Sequence, residues 1–149
     1  MNKPMFKKVL QIGIVVKDLE ATVKNYEEFG LGPWEYFDIN KETASNLSLR
    51  GTNNDQSFKA ATYSVGDVQF ELIQPLDAKT IYTEFLKERG EGLHHIAFDI
   101  DNYDEVVSLV KSRDGMILQR GTLGDITWSY LSTENDLKMI AEIYEYDNQ

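Results

Sequence analysis

The stretch Gly92-Leu93-His94-His95-Ile96-Ala97-Phe98-Asp99-Ile100 holds both histidines of the chain. Ile96, Phe98 and Ile100 alternate with His95, Ala97 and Asp99, the period of a half-buried β-strand. One face is apolar and suits a packed helix. The other offers an imidazole beside an alanine, which leaves room at a metal-capable ligand. On the same alternation His94 falls with the apolar face and reads as structural, and His95 as the group available for chemistry.

The neighbours of this strand repeat an earlier order. Lys7 to Val16 is predicted to be a strand, with Leu10, Ile12, Ile14 and Val16 on one face and Gln11, Gly13 and Val15 on the other. Asp18 is suited to cap a helix whose stripe is Leu19, Val23, Tyr26 and Phe29. Trp34 to Ile39 reads as a strand, and the polar run from Asn40 to Ser57 as a loop covering a site. Phe58 to Val65 and Val68 to Gln74 flank Gly66-Asp67 as a hairpin. Asp77 is expected to cap a helix through about Arg89. After the histidine strand, Asn102 and Glu105 fit a capping box before the stripe Tyr103, Val106, Leu109, Val110. Met116 to Gln119, Ile126 to Leu131 and Lys138 to Tyr146 are three further strands.

Laying Gln11 on His95 brings Ile12 onto Ile96, Gly13 onto Ala97 and Asp18 onto Asn102. Glu71 then falls on Glu142 in the fourth strands. The chain therefore reads as a single α+β domain over residues 1–149, built from two βαβββ modules at 6–75 and 93–146 joined by a linking helix at 76–92. Gln11, Glu71, His95 and Glu142 each lie opposite their strand's aliphatic face. If helices cover the aliphatic faces, a pseudo-twofold pairing brings the four together. Two buried carboxylates, an imidazole and an amide would not assemble around nothing, since unpaired buried charge is costly. A divalent cation resolves the set.

Composition narrows the partners. A formal charge of −10 over 149 residues argues against nucleic acid. The absence of cysteine removes disulfides and thiolate metal sites. No apolar run approaches a membrane span and no signal-peptide pattern opens the chain, so the expectation is a cytoplasmic protein without a membrane partner. Trp34, Trp128 and Tyr144 are candidates to line a cavity, and Arg50, Lys59 and Arg120 to meet an anionic carrier.

Four segments carry a family likeness: Gln11 to Glu20, Phe70 to Leu76, Gly90 to Phe98 and Ile140 to Ile143. They resemble the vicinal oxygen chelate (VOC) superfamily of glyoxalases, bleomycin-resistance proteins and dioxygenases, most nearly methylmalonyl-CoA epimerases and, further off, lactoylglutathione lyases (glyoxalase I). The resemblance implies a curved, cup-like mixed sheet with helices outside. It places the metal ligands on Gln11, Glu71, His95 and Glu142. It implies a divalent ion (Zn, Ni, Co, Mn or Mg), a homodimer, and a small thioester or hemithioacetal substrate. In this reading Glu142 first and Glu71 second carry a proton to and from a carbon next to a carbonyl. Gln11 stands where epimerases of the family usually have histidine, although some glyoxalase I enzymes have glutamine there. That glutamine counts against a dioxygenase, whose iron uses two histidines and one carboxylate. The alternative within the likeness is a ligand-sequestering protein of the bleomycin-resistance type.

Overall fold

The computed structural model describes residues 3–147. The outermost residues of the expected domain, 1–2 and 148–149, lie outside the described residues. The elements run β1 (Phe6–Val15), α1 (Leu19–Glu28), β2 (Glu35–Ile39), β3 (Ser45–Leu49), β4 (Thr52–Asn53), β5 (Phe58–Val65), β6 (Val68–Pro75), α2 (Ile81–Arg89), β7 (Gly92–Ile100), α3 (Tyr103–Ser112), β8 (Ile117–Leu123), β9 (Ile126–Leu131), α4 (Glu134–Leu137) and β10 (Ile140–Tyr146). The strands form one mixed sheet in the order β2-β5-β6-β1-β7-β10-β9-β8-β3-β4. It is the curved α+β sheet of two βαβββ units with helices outside. β1 and β7 meet antiparallel at its centre, and β6 and β10 flank them in parallel.

The helices start where the sequence places caps, with one exception. Asp18 accepts from the Ala21 N–H at 3.0 Å and Asn102 from the Glu105 N–H at 2.9 Å. The cap of α2 is Thr80 rather than Asp77, its hydroxyl accepting from the Thr83 N–H at 3.1 Å. Asp77 instead accepts the Lys79 N–H and, through its carbonyl, the Thr83 hydroxyl. Both residue types suit a cap. What decides is that Thr80 is the last extended residue.

Two apolar layers lie under α1 and α3. Val16, Leu19, Val23, Ala61 and Leu72 fill the first, and Val106, Leu131, Ala141 and Ile143 the second. Trp34 belongs to the first, edge-on to Tyr26 and tilted against Tyr63, so it does not line the cavity as expected. Strand parity then sends Gln11, Glu71, His95 and Glu142 to the concave side.

The polar run after Asn40 is not a structureless loop. It leaves β2 at one edge of the sheet and pairs through β3 with β8 near the other edge. Arg50 and Gly51 turn it back into β4 with φ of 49° and 82°, the left-handed pair that a two-residue hairpin needs. Leu47 anchors it in the concave core.

Candidate metal centre

The pairing register sets the four side chains around two small residues. Glu71 and His95 are the partners of Gly13 on either side. Gln11 and Glu142 are the partners of Ala97. The two rows exchange under the pseudo-twofold that relates the modules. Gly13 is required by contact: a Cβ there would stand 1.9 Å from His95 Cε1 and 2.2 Å from Nε2. The imidazole lies flat over the glycine.

His95 Nε2 is the meeting point. It lies 3.3 Å from Gln11 Oε1, 3.4 Å from Glu142 Oε1 and 3.5 Å from Glu71 Oε1. Gln11, His95 and Glu142 are buried, while the Glu71 side chain keeps 18% of its exposure. The contacts to Glu71 and Glu142 are not ion pairs. Burial holds His95 neutral, down at about 3, and pushes Glu71 up to about 8. Glu142 is raised well above the usual carboxylate range by burial and then by Glu71, with Tyr130 and Tyr144 opposing through hydrogen bonds.

With Gln11 Nε2 donating to Gln69 Oε1 at 2.7 Å, the amide oxygen faces the centre. Three oxygen acceptors and an imidazole nitrogen then converge. The amide turned over would instead donate to Glu142 at 3.0 Å and to Glu71 at 3.2 Å. One orientation suits a cation and the other a centre without one. Among the described residues no group of three or more His, Cys, Asp and Glu side chains is placed to hold a metal ion by itself. The set is completed by an amide. The donor chemistry fits a divalent ion: two carboxylates match its charge, and ligands about 2.1 Å from a metal stand roughly 3.0–3.5 Å from one another.

His95 lines a cavity of about 410 Å³, while Gln11, Glu71 and Glu142 line a second one of about 300 Å³ walled by Phe37, Ile39, Phe58, Trp128 and Tyr144, among others. Trp128 and Tyr144 therefore line it as expected. Among the described residues no lysine or arginine does. Arg50 is instead engaged by both oxygens of Glu84 at 2.8 and 2.9 Å, and Arg120 by Glu145 at 3.2 Å.

His94 departs from the expected parity. Gly13 pairs with His95 but Ile14 with Leu93, so His94 falls in a β-bulge. Its ring turns away from the α3 layer and packs among Tyr82, Phe85 and Tyr130, with Nδ1 2.9 Å from His95 Nδ1. Strict alternation hid this contact. Gln69 also went unnoticed, although it shares a face with Glu71.

Comparison with known proteins agrees with this fold. The model of the Glyoxalase/Bleomycin resistance protein/Dioxygenase superfamily matches residues 10–125. The chain belongs to that superfamily. The uncharacterized protein YqjC of Bacillus subtilis is 33% identical over 69 residues, which is 46% of this chain and 49% of that one. The match thus spans about half of the curated relative's length. Methylmalonyl-CoA epimerase from Mycobacterium tuberculosis superposes with a TM-score of 0.67 at 20% identity, over 98% of this chain and 92% of that one. The hypothetical protein BH1468 from Bacillus halodurans C-125 gives 0.68 at 21%, over 95% and 96%. Streptomyces coelicolor methylmalonyl-CoA epimerase in complex with 2-nitronate-propionyl-CoA gives 0.66 at 21%, over 93% and 96%. At these identities the three structures establish the fold. Among the described residues no helix is long and apolar enough to cross a membrane.

Proposed function

We propose that this chain is a divalent-metal-dependent isomerase or lyase that removes a proton from the carbon next to a carbonyl of a small thioester or hemithioacetal. The observation that carries the proposal is the convergence of three oxygen acceptors on His95 Nε2 beneath an open, mainly apolar cup. Gln11, Glu71, His95 and Glu142 would hold the ion. When bound, the ion supplies Lewis-acid stabilisation of negative charge on the substrate's carbonyl oxygen.

The remaining work belongs to the chain. Glu142 takes the proton, with Tyr130 and Tyr144 favouring its charged form. Glu71, the most exposed of the four side chains, is the second base. Delivery from the second carboxylate to the opposite face of the same carbon is epimerisation. Delivery to the neighbouring carbon is the lyase outcome. With no lysine or arginine on its wall, the cup suits the acyl or hemithioacetal end, and an anionic carrier stays outside it. The two epimerase neighbours, one of them complexed with a propionyl-CoA analogue, favour a thioester.

Deuterium wash-in tests the reading. The metal-loaded protein is offered methylmalonyl-CoA, methylglyoxal–thiol adducts and related α-acidic carbonyls. The expected result is label uptake that needs the metal and falls at least ~100-fold in Glu142→Gln, the usual scale for a lost general base. Tight ligand binding with no label uptake under any metal overturns it in favour of sequestration.

A further inference from the structure

His94 occupies an aromatic cage that a phenylalanine would fill. Its ring centroid lies 5.0 Å from Phe85, 5.4 Å from Tyr82 and 5.9 Å from Tyr130. It is 4% exposed, and its Nε2 has no hydrogen-bond partner among the described residues. An orphaned buried polar atom is costly. What an imidazole provides there and a phenyl ring does not is Nδ1, which stands 2.9 Å from His95 Nδ1.

Two ring nitrogens at that separation share one proton. With none, two lone pairs oppose each other. With two, the hydrogens collide. Only two arrangements of neutral rings remain. In one, His94 donates and the proton of His95 sits on Nε2, pointing at Glu71 and Glu142. In the other, His95 donates from Nδ1 and its Nε2 faces Gln11, Glu71 and Glu142 as a bare lone pair. Only the second leaves a metal ligand.

We propose that His94 is a positioning residue that accepts the Nδ1 proton of His95 and so presents His95 Nε2 to the site as a lone pair. The proposal rests on the reading of His95 as a ligand. With Nδ1 accepting, the proton of a neutral His94 is on Nε2. The bulge at His94 is the backbone device that turns two consecutive side chains toward each other.

Long-range imidazole ¹H–¹⁵N spectra of the Zn²⁺-loaded protein read this directly. The expected result is His95 protonated on Nδ1, His94 protonated on Nε2, and a scalar coupling between the two Nδ1 atoms across the hydrogen bond. His94→Phe keeps the cage and removes the acceptor. Its Zn²⁺ affinity is expected to fall ~10–100-fold, with the metal-free melting temperature held. His94→Asn offers a side-chain oxygen in place of Nδ1 and is expected to recover most of the affinity. His95 protonated on Nε2, or Phe binding Zn²⁺ as tightly as the wild type, overturns the proposal. If Zn²⁺ leaves the His95 Nε2 shift unmoved in the wild type, the ligand assignment itself fails and takes the proposal with it. The coupling in metal-free protein tells the two failures apart.

Discussion

Gln69 Oε1 lies 2.7 Å from Gln11 Nε2, and the two residues are direct partners across the parallel β1–β6 pair. Where Gln69 presents its oxygen, that hydrogen bond turns the oxygen of the Gln11 amide toward the other three side chains. With the nitrogen tied to Gln69, the oxygen points inward and is available to a cation. Gln69→Leu removes the tie and frees the amide to donate to Glu142 and Glu71. The expected outcome is a loss of metal affinity of about tenfold, within the usual range for an outer-shell partner. Gln69→Glu keeps an acceptor for Gln11 Nε2 and is expected to retain affinity. Chelator-competition titrations check both, and equal affinity in Gln69→Leu and the wild type contradicts the role.

Gly13 is the second constraint. A methyl group there occupies the space of the His95 ring, at 1.9 Å from Cε1. The ring is walled in by Tyr130 on its other side, with centroids 4.8 Å apart, so it has little room to yield. Gly13→Ala is expected to cost about 1–3 kcal/mol, the usual scale of overpacking, and to empty the metal site. Ala97→Gly, the matching position in the second module, removes a methyl group and leaves the ligands where they are. Thermal melts and elemental analysis on the pair test this. Full metal occupancy in Gly13→Ala would mean that the ring does not have to lie over that position.

What the sequence made legible follows from strand parity. A period of two fixes the face of a side chain once one face is apolar, so Gln11, Glu71, His95 and Glu142 were found together. Three features broke a local assumption. The bulge at His94 interrupts the alternation within a run that looks regular. The hairpin around Arg50-Gly51 sits among Asn, Ser and Thr, which mask the alternation of Leu47 and Leu49. Trp34 and Trp128 are alike as residue types. Only the packing of the residue before β2 and of β9 puts one under α1 and the other in the cup.

The metal-free protein is expected to lose stability as pH rises from about 6.5 to about 8. Glu71 ordinarily titrates near 4.5 and in the fold near 8, so in that interval the folded chain holds a proton that the unfolded chain has released. Stability therefore falls with rising pH, and Glu142 acts in the same sense. His95 works oppositely. Depressed to about 3 from 6.5, it makes stability rise with pH over that lower interval and adds nothing above it. The two trends compete between 4.5 and 6.5, and the carboxylates act alone beyond. Melting temperatures in chelator across pH 6.5–8 should decline, and Glu71→Gln should flatten the decline. A divalent ion takes the place of the protons, so its stabilising effect should grow over the same window. A flat or rising profile in the wild type contradicts the assignment of these groups as buried and uncompensated.

The strand after β2 gives the last prediction. Leu47 is 5% exposed, and its Cδ2 would lie 2.9 Å from a Cβ on Gly121, where the Trp128 ring also rests. One leucine thus fastens a polar segment over the cup and helps to seat a wall residue. Arg50 N donates to Leu118 O at 2.7 Å, Asn46 Nδ2 donates to Thr122 Oγ1 at 3.2 Å, and the Arg50 guanidinium holds Glu84, beside backbone pairing with β8. Such a segment, with Leu47 its one buried side chain and mostly polar ties otherwise, is suited to open as its own unit. Leu47→Ala is expected to cost about 2–5 kcal/mol locally, the range for a buried leucine truncated to alanine. Hydrogen exchange should then speed up at Leu49 and Arg50 while the amides of β1 and β7 keep their protection. Acceleration shared equally by the central strands would show that this segment is part of the global unit, and a strap that opens separately would be excluded.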